Sequence, residues 1–198
     1  MTSEALDCHY SINGSGPAIF LTHGIGAAED AWRFITPKLS ENFTVITYDL
    51  RGHGKSPVTN KDFGLDDLVL DLERIREKTN INKAHFAGHS LGGMIVPAYA
   101  KKYPDKVLSI GMLSTVAGRS EEDSKKVWSV IKEMEEKGIK ETLEKLTTRW
   151  FTDEFIANNS KLVTRRLKQV VDTDPEVFLN VFRIYAKTEM ISWLKELT

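Results

Sequence analysis

Apolar residues in this chain follow two textures. In the first, short apolar and β-branched runs alternate with segments in which apolar residues recur every three or four positions. The runs are Ala18–Thr22, Thr44–Tyr48, residues 84–87 and Val107–Leu113. Runs of this length without a polar repeat predict strands buried on both faces of a parallel sheet, because a strand with one wet face alternates instead. Residues 5–12 do alternate and stop at Asn13-Gly14, a turn signal. They predict an antiparallel edge hairpin leading into the first buried strand. Helical spacing predicts helices over residues 29–39, 66–78 and 91–102. In the second of these, Leu68, Leu72 and Ile75 share a face and Asp66 or Asp67 stands near the N-terminus. Strand and helix in alternation predict an α/β fold, a doubly wound and mostly parallel sheet with right-handed crossovers.

The second texture begins at Gly118. Residues 120–197 contain no convincing strand and read as successive helices over Glu121–Lys137, Ile139–Trp150, Asp153–Asn158, Ser160–Asp172, residues 175–186 and residues 188–197. The chain therefore divides into a core at 1–118, an all-helical lid at 119–187 and the start of a return to the core at 188–198. Lys125, Lys126, Glu133, Glu135, Glu136 and Lys137 read as a solvated helix face. A hydrophobic share of 41% over 198 residues is enough to bury a core. The 27 basic and 28 acidic residues leave a net charge of −1, which argues against nucleic acid as a partner. No apolar stretch reaches spanning length, so no membrane partner is expected. The lone Cys8 cannot form an internal disulfide, and the first ten residues lack a basic start followed by an apolar run. A cytoplasmic location without a signal peptide is the expectation.

Chemistry concentrates in three glycine-containing segments. Gly88-His89-Ser90-Leu91-Gly92-Gly93 follows a buried strand and opens a helix, the setting in which a G-x-S-x-G pattern carries meaning. A serine on so tight a turn is pushed outward, and side chains at 88 and 92 would strike neighbouring backbone. The helix beginning at Leu91 aims its N-terminal amides at developing negative charge. His23-Gly24-Ile25-Gly26, just after the strand Ala18–Thr22, can present a backbone N–H to an oxyanion. The expected donors are Ile25 and Leu91, and losing one such donor costs about 3–4 kcal/mol of transition-state stabilisation. Asp49-Leu50-Arg51-Gly52-His53-Gly54-Lys55-Ser56 reads as a turn whose polar residues hold it together and line the pocket floor, with His53 a weaker candidate for catalysis.

These segments, in this order, resemble the α/β-hydrolase family and, within it, the small esterases and lactonases akin to 3-oxoadipate enol-lactonase. Residues 88–95 and 99–107 resemble that group's elbow helix and the strand after it. The resemblance implies acyl transfer to Ser90 from a small-molecule carboxylic ester or lactone, followed by water. It implies no cofactor and no metal, and no ligand-spaced Cys/His cluster or G-x-G-x-x-G suggests one. It implies a supporting role for His23, Gly24, Gly26, Gly88, His89 and Gly92. His89 is expected to pack behind the turn and His85 to lie in the core. A serine at the nucleophile position sets the chain apart from haloalkane dehalogenases and epoxide hydrolases.

One departure stands out. The family's order is nucleophile, acid, then histidine, yet His9, His23, His53, His85 and His89 all precede Ser90. The segment 185–198 resembles the last lid segment of relatives, which leads into strands delivering the acid and the base. The resemblance thus implies a fold incomplete at its C-terminal end, with low activity of this polypeptide alone. It also implies an apolar edge at 107–113 open to a second copy or a complementing chain. The alternative is a non-catalytic protein that binds a small ligand or a partner on a hydrolase scaffold.

Overall fold

The computed structural model describes residues 4–197, the side chain of Glu144 excepted. Five strands form one sheet: β1 (Tyr10–Asn13), β2 (Ala18–Thr22), β3 (Thr44–Tyr48), β4 (Ala84–His89) and β5 (Val107–Leu113). Their order is β1-β3-β2-β4-β5. β3, β2, β4 and β5 run parallel, and β1 is antiparallel to β3. The helices are α1 (Thr36–Leu39), α2 (Leu65–Lys78), α3 (Gly92–Lys102), α4 (Glu121–Lys137), α5 (Ile139–Trp150), α6 (Asp153–Asn158), α7 (Ser160–Asp172), α8 (Pro175–Lys187) and α9 (Ile191–Leu194). The result is an α/β fold with a mixed, mostly parallel sheet.

Three expectations about elements need correction. β1 does not form a hairpin with β2; it starts at Tyr10 and pairs with β3, Tyr10 opposite Tyr48. The connection passes through Gly14 and Gly16, both at positive φ and both lying against the backbone of residues 40–43. That path carries the chain past β3 instead of folding it back. The helix expected over 29–39 is instead a 3-10 turn at Glu29–Trp32 and the single turn α1. Pro37 has no N–H to donate and is tolerated only in a helix's first turn, so it restarts the helix. The helix expected over 188–197 shrinks to α9, because the Ala117 carbonyl takes the N–H groups of Met190 and Ile191.

The two faces of the sheet are covered unequally. Successive strand residues point to opposite sides. Phe20, Ile46, Tyr48 and Phe86 pack with Leu68, Leu72 and Ile75 of α2 and Met94, Ile95 and Tyr99 of α3 in the main core. Leu21, Trp32 and Val45, with Leu39 of α1, form a small cluster on the other face. His85 shares that thin side. It is half-buried, bonded to Ser109 Oγ at 2.8 Å and set edge-on against Phe43, not a core residue. The same thinness leaves β5, expected to be buried on both faces, with Leu108 53% and Leu113 45% exposed.

α4–α8 make a layer over the strand ends. α7 and α8 bury Val163, Val170, Val177, Phe178 and Val181. Asp174 caps α8, its Oδ1 accepting the N–H groups of Glu176 at 2.9 Å and Val177 at 3.3 Å, with Pro175 next in the first turn. Asn180 Nδ2 donates to the Phe63 carbonyl at 2.8 Å and ties the layer to the core.

Candidate active site

Ser90 lies between β4 and α3 at φ +55°, a left-handed conformation that a non-glycine residue adopts only when its surroundings impose it. The surroundings do so at close range. A Cβ on Gly88 would enter the Gly92 carbonyl, and one on Gly92 would enter the Thr22 carbonyl of β2. Glycine at both positions lets α3 press onto the sheet and forces the turn between them. The Ser90 N–H donates to the Leu113 carbonyl at 3.0 Å. The Ser90 carbonyl accepts from Thr115 Oγ1 at 2.8 Å and from the Gly93 N–H at 2.9 Å. Its side chain faces a cavity of about 710 Å³.

Beside Ser90 stands the loop 23–27, Gly24 lying directly against it, braced by two buried histidines. His23 Nε2 accepts the Leu50 N–H at 2.9 Å, so its proton is on Nδ1, which donates to the Gly24 carbonyl at 2.8 Å. His53 Nε2 accepts the Gly26 N–H at 3.1 Å, and its Nδ1–H donates to the Arg51 carbonyl at 3.0 Å. Burial holds both rings neutral. His23 is pushed well below the usual histidine range, with His53 adding to the effect. His53 is pushed down to about 4. Neither ring has a nitrogen left for Ser90. The three carbonyls of residues 24–26 and the Gly26 N–H are engaged, whereas the N–H groups of Gly24, Ile25 and Leu91 have no protein acceptor among the described residues.

The turn 49–56 is held as the sequence suggests. Asp49 Oδ1 accepts the Glu29 N–H at 2.7 Å, Asp49 Oδ2 the Lys55 N–H at 2.9 Å, and Ser56 Oγ donates to the Asp49 carbonyl at 2.7 Å. It does not line the pocket floor; it lies below the loop 23–27, and its contribution is the support given by His53. His89 also departs from expectation. Its ring does not pack behind the turn but opens into the cavity beside Gly24, because Gly24 offers no side chain to cover it. Burial and then Arg166 lower its basicity. Ser90 Oγ has no hydrogen-bond partner among the described residues.

Much of the cavity comes from side chains that no motif marks: Trp150 of α5, Phe155 of α6, Arg166 of α7 and Tyr185 of α8. Single residues on amphipathic helices carry no local signal, and only the folded lid brings them to Ser90. Arg166 donates to the carbonyls of Gly26 and Ile25, each at 2.6 Å, and stacks on Trp150. Ser114, at φ +45°, also lines the site. The grouping best suited to a cation is elsewhere: His9, Glu29 and Asp49 have ligand atoms within 4.8 Å of one another. His9 Nε2 already pairs with Glu29 at 3.1 Å, and both Asp49 oxygens accept backbone N–H groups. The trio reads as a loop brace. No helix among the described residues is long and apolar enough to cross a membrane.

Known proteins share this fold. A family model described as alpha/beta hydrolase fold matches residues 17–170. A 3-oxoadipate enol-lactonase of Acinetobacter baylyi is 31% identical over 90% of this chain, which spans 67% of that protein's length. An enol-lactonase structure from Burkholderia xenovorans superposes with a TM-score of 0.85 at 23% identity, covering 94% of this chain and 74% of that one. An esterase structure from Thermogutta terrifontis does so with 0.85 at 22%, covering 96% and 71%.

Proposed function

The chain belongs to the alpha/beta hydrolase fold family and is a hydrolase by family, and from that premise we propose that it is a serine hydrolase of carboxylic esters or lactones, with Ser90 the nucleophile. The observation that carries the reading is Ser90 at φ +55° facing a cavity that Ile25 also lines, with the N–H groups of Ile25 and of Leu91, the residue after Ser90, both uncommitted among the described residues. Ser90 Oγ attacks the carbonyl carbon, and the oxygen takes up negative charge between the two N–H groups. The alcohol, or the ring oxygen of a lactone, departs, and water then releases the acid from the acyl-enzyme. Substrates named for the relatives above, enol-lactones among them, fall within this class.

The proposal extends to rate. No histidine follows Ser90 in these 198 residues, and His23 and His53 are both committed. Loss of the histidine in a serine triad costs roughly 10⁶-fold in turnover, and the oxyanion donors with binding retain roughly 10³–10⁴ over water. This polypeptide alone is therefore expected to hydrolyse p-nitrophenyl acetate barely above background, accumulating one acetyl group at Ser90 by intact mass. Added imidazole, a diffusible proton acceptor, speeds the reaction. Ser90→Ala removes the adduct. An acetyl group mapped elsewhere, or rapid turnover insensitive to Ser90→Ala, would overturn the assignment.

A second reading, a ligand-binding protein on the hydrolase scaffold, is favoured by the one observation that Ser90 Oγ has no partner. A chain that binds neutral ester analogues but gives no Ser90 adduct even with imidazole would establish it.

A further inference from the structure

We propose that Arg166, on lid helix α7, is the positioning residue that sets the oxyanion loop, so that docking of the lid and formation of the oxyanion hole are a single event. The inference rests on the reading of Ser90 and Ile25 given above. Its basis is the bonding of two consecutive peptide groups. The peptide joining Ile25 to Gly26 is gripped from both sides: its carbonyl accepts from Arg166 at 2.6 Å and its N–H donates to His53 at 3.1 Å. The next carbonyl, of Gly26, accepts from the same guanidinium at 2.6 Å. The preceding carbonyl, of Gly24, accepts from His23 at 2.8 Å and from the Ala27 N–H at 3.2 Å. With these three carbonyls and the Gly26 N–H fixed, the Ile25 N–H is left aimed by its neighbours.

Arg166 is suited to this and costly to keep for anything less. Its guanidinium lies over Trp150, 4.6 Å from the ring centroid, and has no salt-bridge partner among the described residues. Burial lowers its basicity to about 10. A partly desolvated cation held by two carbonyl dipoles fixes those dipoles in return, and a planar fork does so with a geometry a single ammonium cannot copy. The loop leans on the lid at the same point: at Gly26, φ +60°, a Cβ would stand 2.6 Å from Phe178 of α8 and 3.1 Å from Val170 of α7. Farther along, Asp30 receives Arg165 and Gln169 of α7. These hold the helix near the loop but leave the peptides at 25 and 26 untouched.

The test compares the parent chain with Arg166→Lys, Arg166→Met and Asp30→Ala. Phosphonylation of Ser90 by an alkyl fluorophosphonate is followed by intact mass, with imidazole present and reagent varied to separate the limiting rate from half-saturation. The Ile25 and Gly26 amide signals are followed by ¹H–¹⁵N spectra, and melting temperature reports the fold. Both Arg166 variants are expected to lose about 10²-fold in limiting rate, in line with loss of an oxyanion donor, with half-saturation little changed and both amide signals displaced. Asp30→Ala is expected to keep the limiting rate and the two signals. An Arg166→Lys limiting rate close to that of the parent, or a loss that Asp30→Ala shares, would overturn the proposal. Should Arg166→Met not fold, Arg166→Lys decides. Should the parent form no Ser90 adduct, the nucleophile assignment fails, and unmoved amide signals in Arg166→Lys would separately refute the positioning role.

Discussion

His53 can accept the Gly26 N–H only while its ring is neutral, which makes this buried residue a source of pH dependence. Its basicity in the fold lies near 4, against about 6.5 in an unfolded chain. The unfolded state therefore binds the proton first as pH falls. The stability due to the neutral ring is fully present above about 6.5 and is lost as pH drops toward 4, amounting to about 3 kcal/mol. Melting temperature should fall steadily over that interval, and His53→Gln, which cannot titrate, should make the fall shallower; an unchanged slope would dissociate His53 from it. At this scale the glycines were legible, because only glycine tolerates the contacts at 88 and 92. The turn at Asp49 was legible too, as a string of short polar residues. The directions of the His85 and His89 rings were not, since each depends on what another element leaves uncovered. Arg166 has no signature at all: an arginine on a helix reads as solvated until its partners, two carbonyls 140 and 141 residues away, are in place.

Elements were legible where local pattern decides them. All four apolar runs became parallel strands, and the helices of the lid fell close to their expected bounds. Failures came where a non-local partner or a proline intervenes: β1 skips its neighbour for β3, and Pro37 divides the segment that periodicity had joined. The alternation of apolar residues says which face a strand buries but not which strand it joins. β5 illustrates the consequence. It stands at the end of the strand order, with no strand on its outer side among the described residues, and Leu108 and Leu113 are largely exposed. A seven-residue parallel edge of this kind favours pairing with another chain. We propose a second copy of this chain as the partner. Light scattering should show association rising with concentration, reduced by Leu108→Lys; a strictly monomeric parent at high concentration would sink the idea.

Over the whole molecule, the cavity joins a sheet that supplies Ser90, the proposed nucleophile, to a helical layer that supplies much of the walls. Arg33, Arg149, Arg165 and Arg166 line it, and no carboxylate side chain does so among the described residues. With aromatic walls and positive charge, the site should accept neutral and anionic esters and reject cationic ones. Competition for Ser90 labelling should show a short dicarboxylate monoester protecting far better than a choline ester of similar size; equal protection would show that the arginines do not reach the ligand. The fold and the tight turn at Ser90 were readable because contiguous segments of the chain carry them. The character of the pocket was not, because its walls come from five helices, α4 to α8, whose mutual placement no local pattern specifies.

Both peptide groups flanking Ser90 are stitched to the end of β5, through the Leu113 carbonyl and the Thr115 hydroxyl. The outer strand of the described sheet and the proposed nucleophile are thus one hydrogen bond apart. Whatever comes to rest along that outer strand, a second copy or a further stretch of polypeptide, stiffens the ground on which the alcohol stands. Fraying there would slacken the strained turn first, so the sheet's outermost rung and the nucleophile should lose protection from hydrogen exchange together.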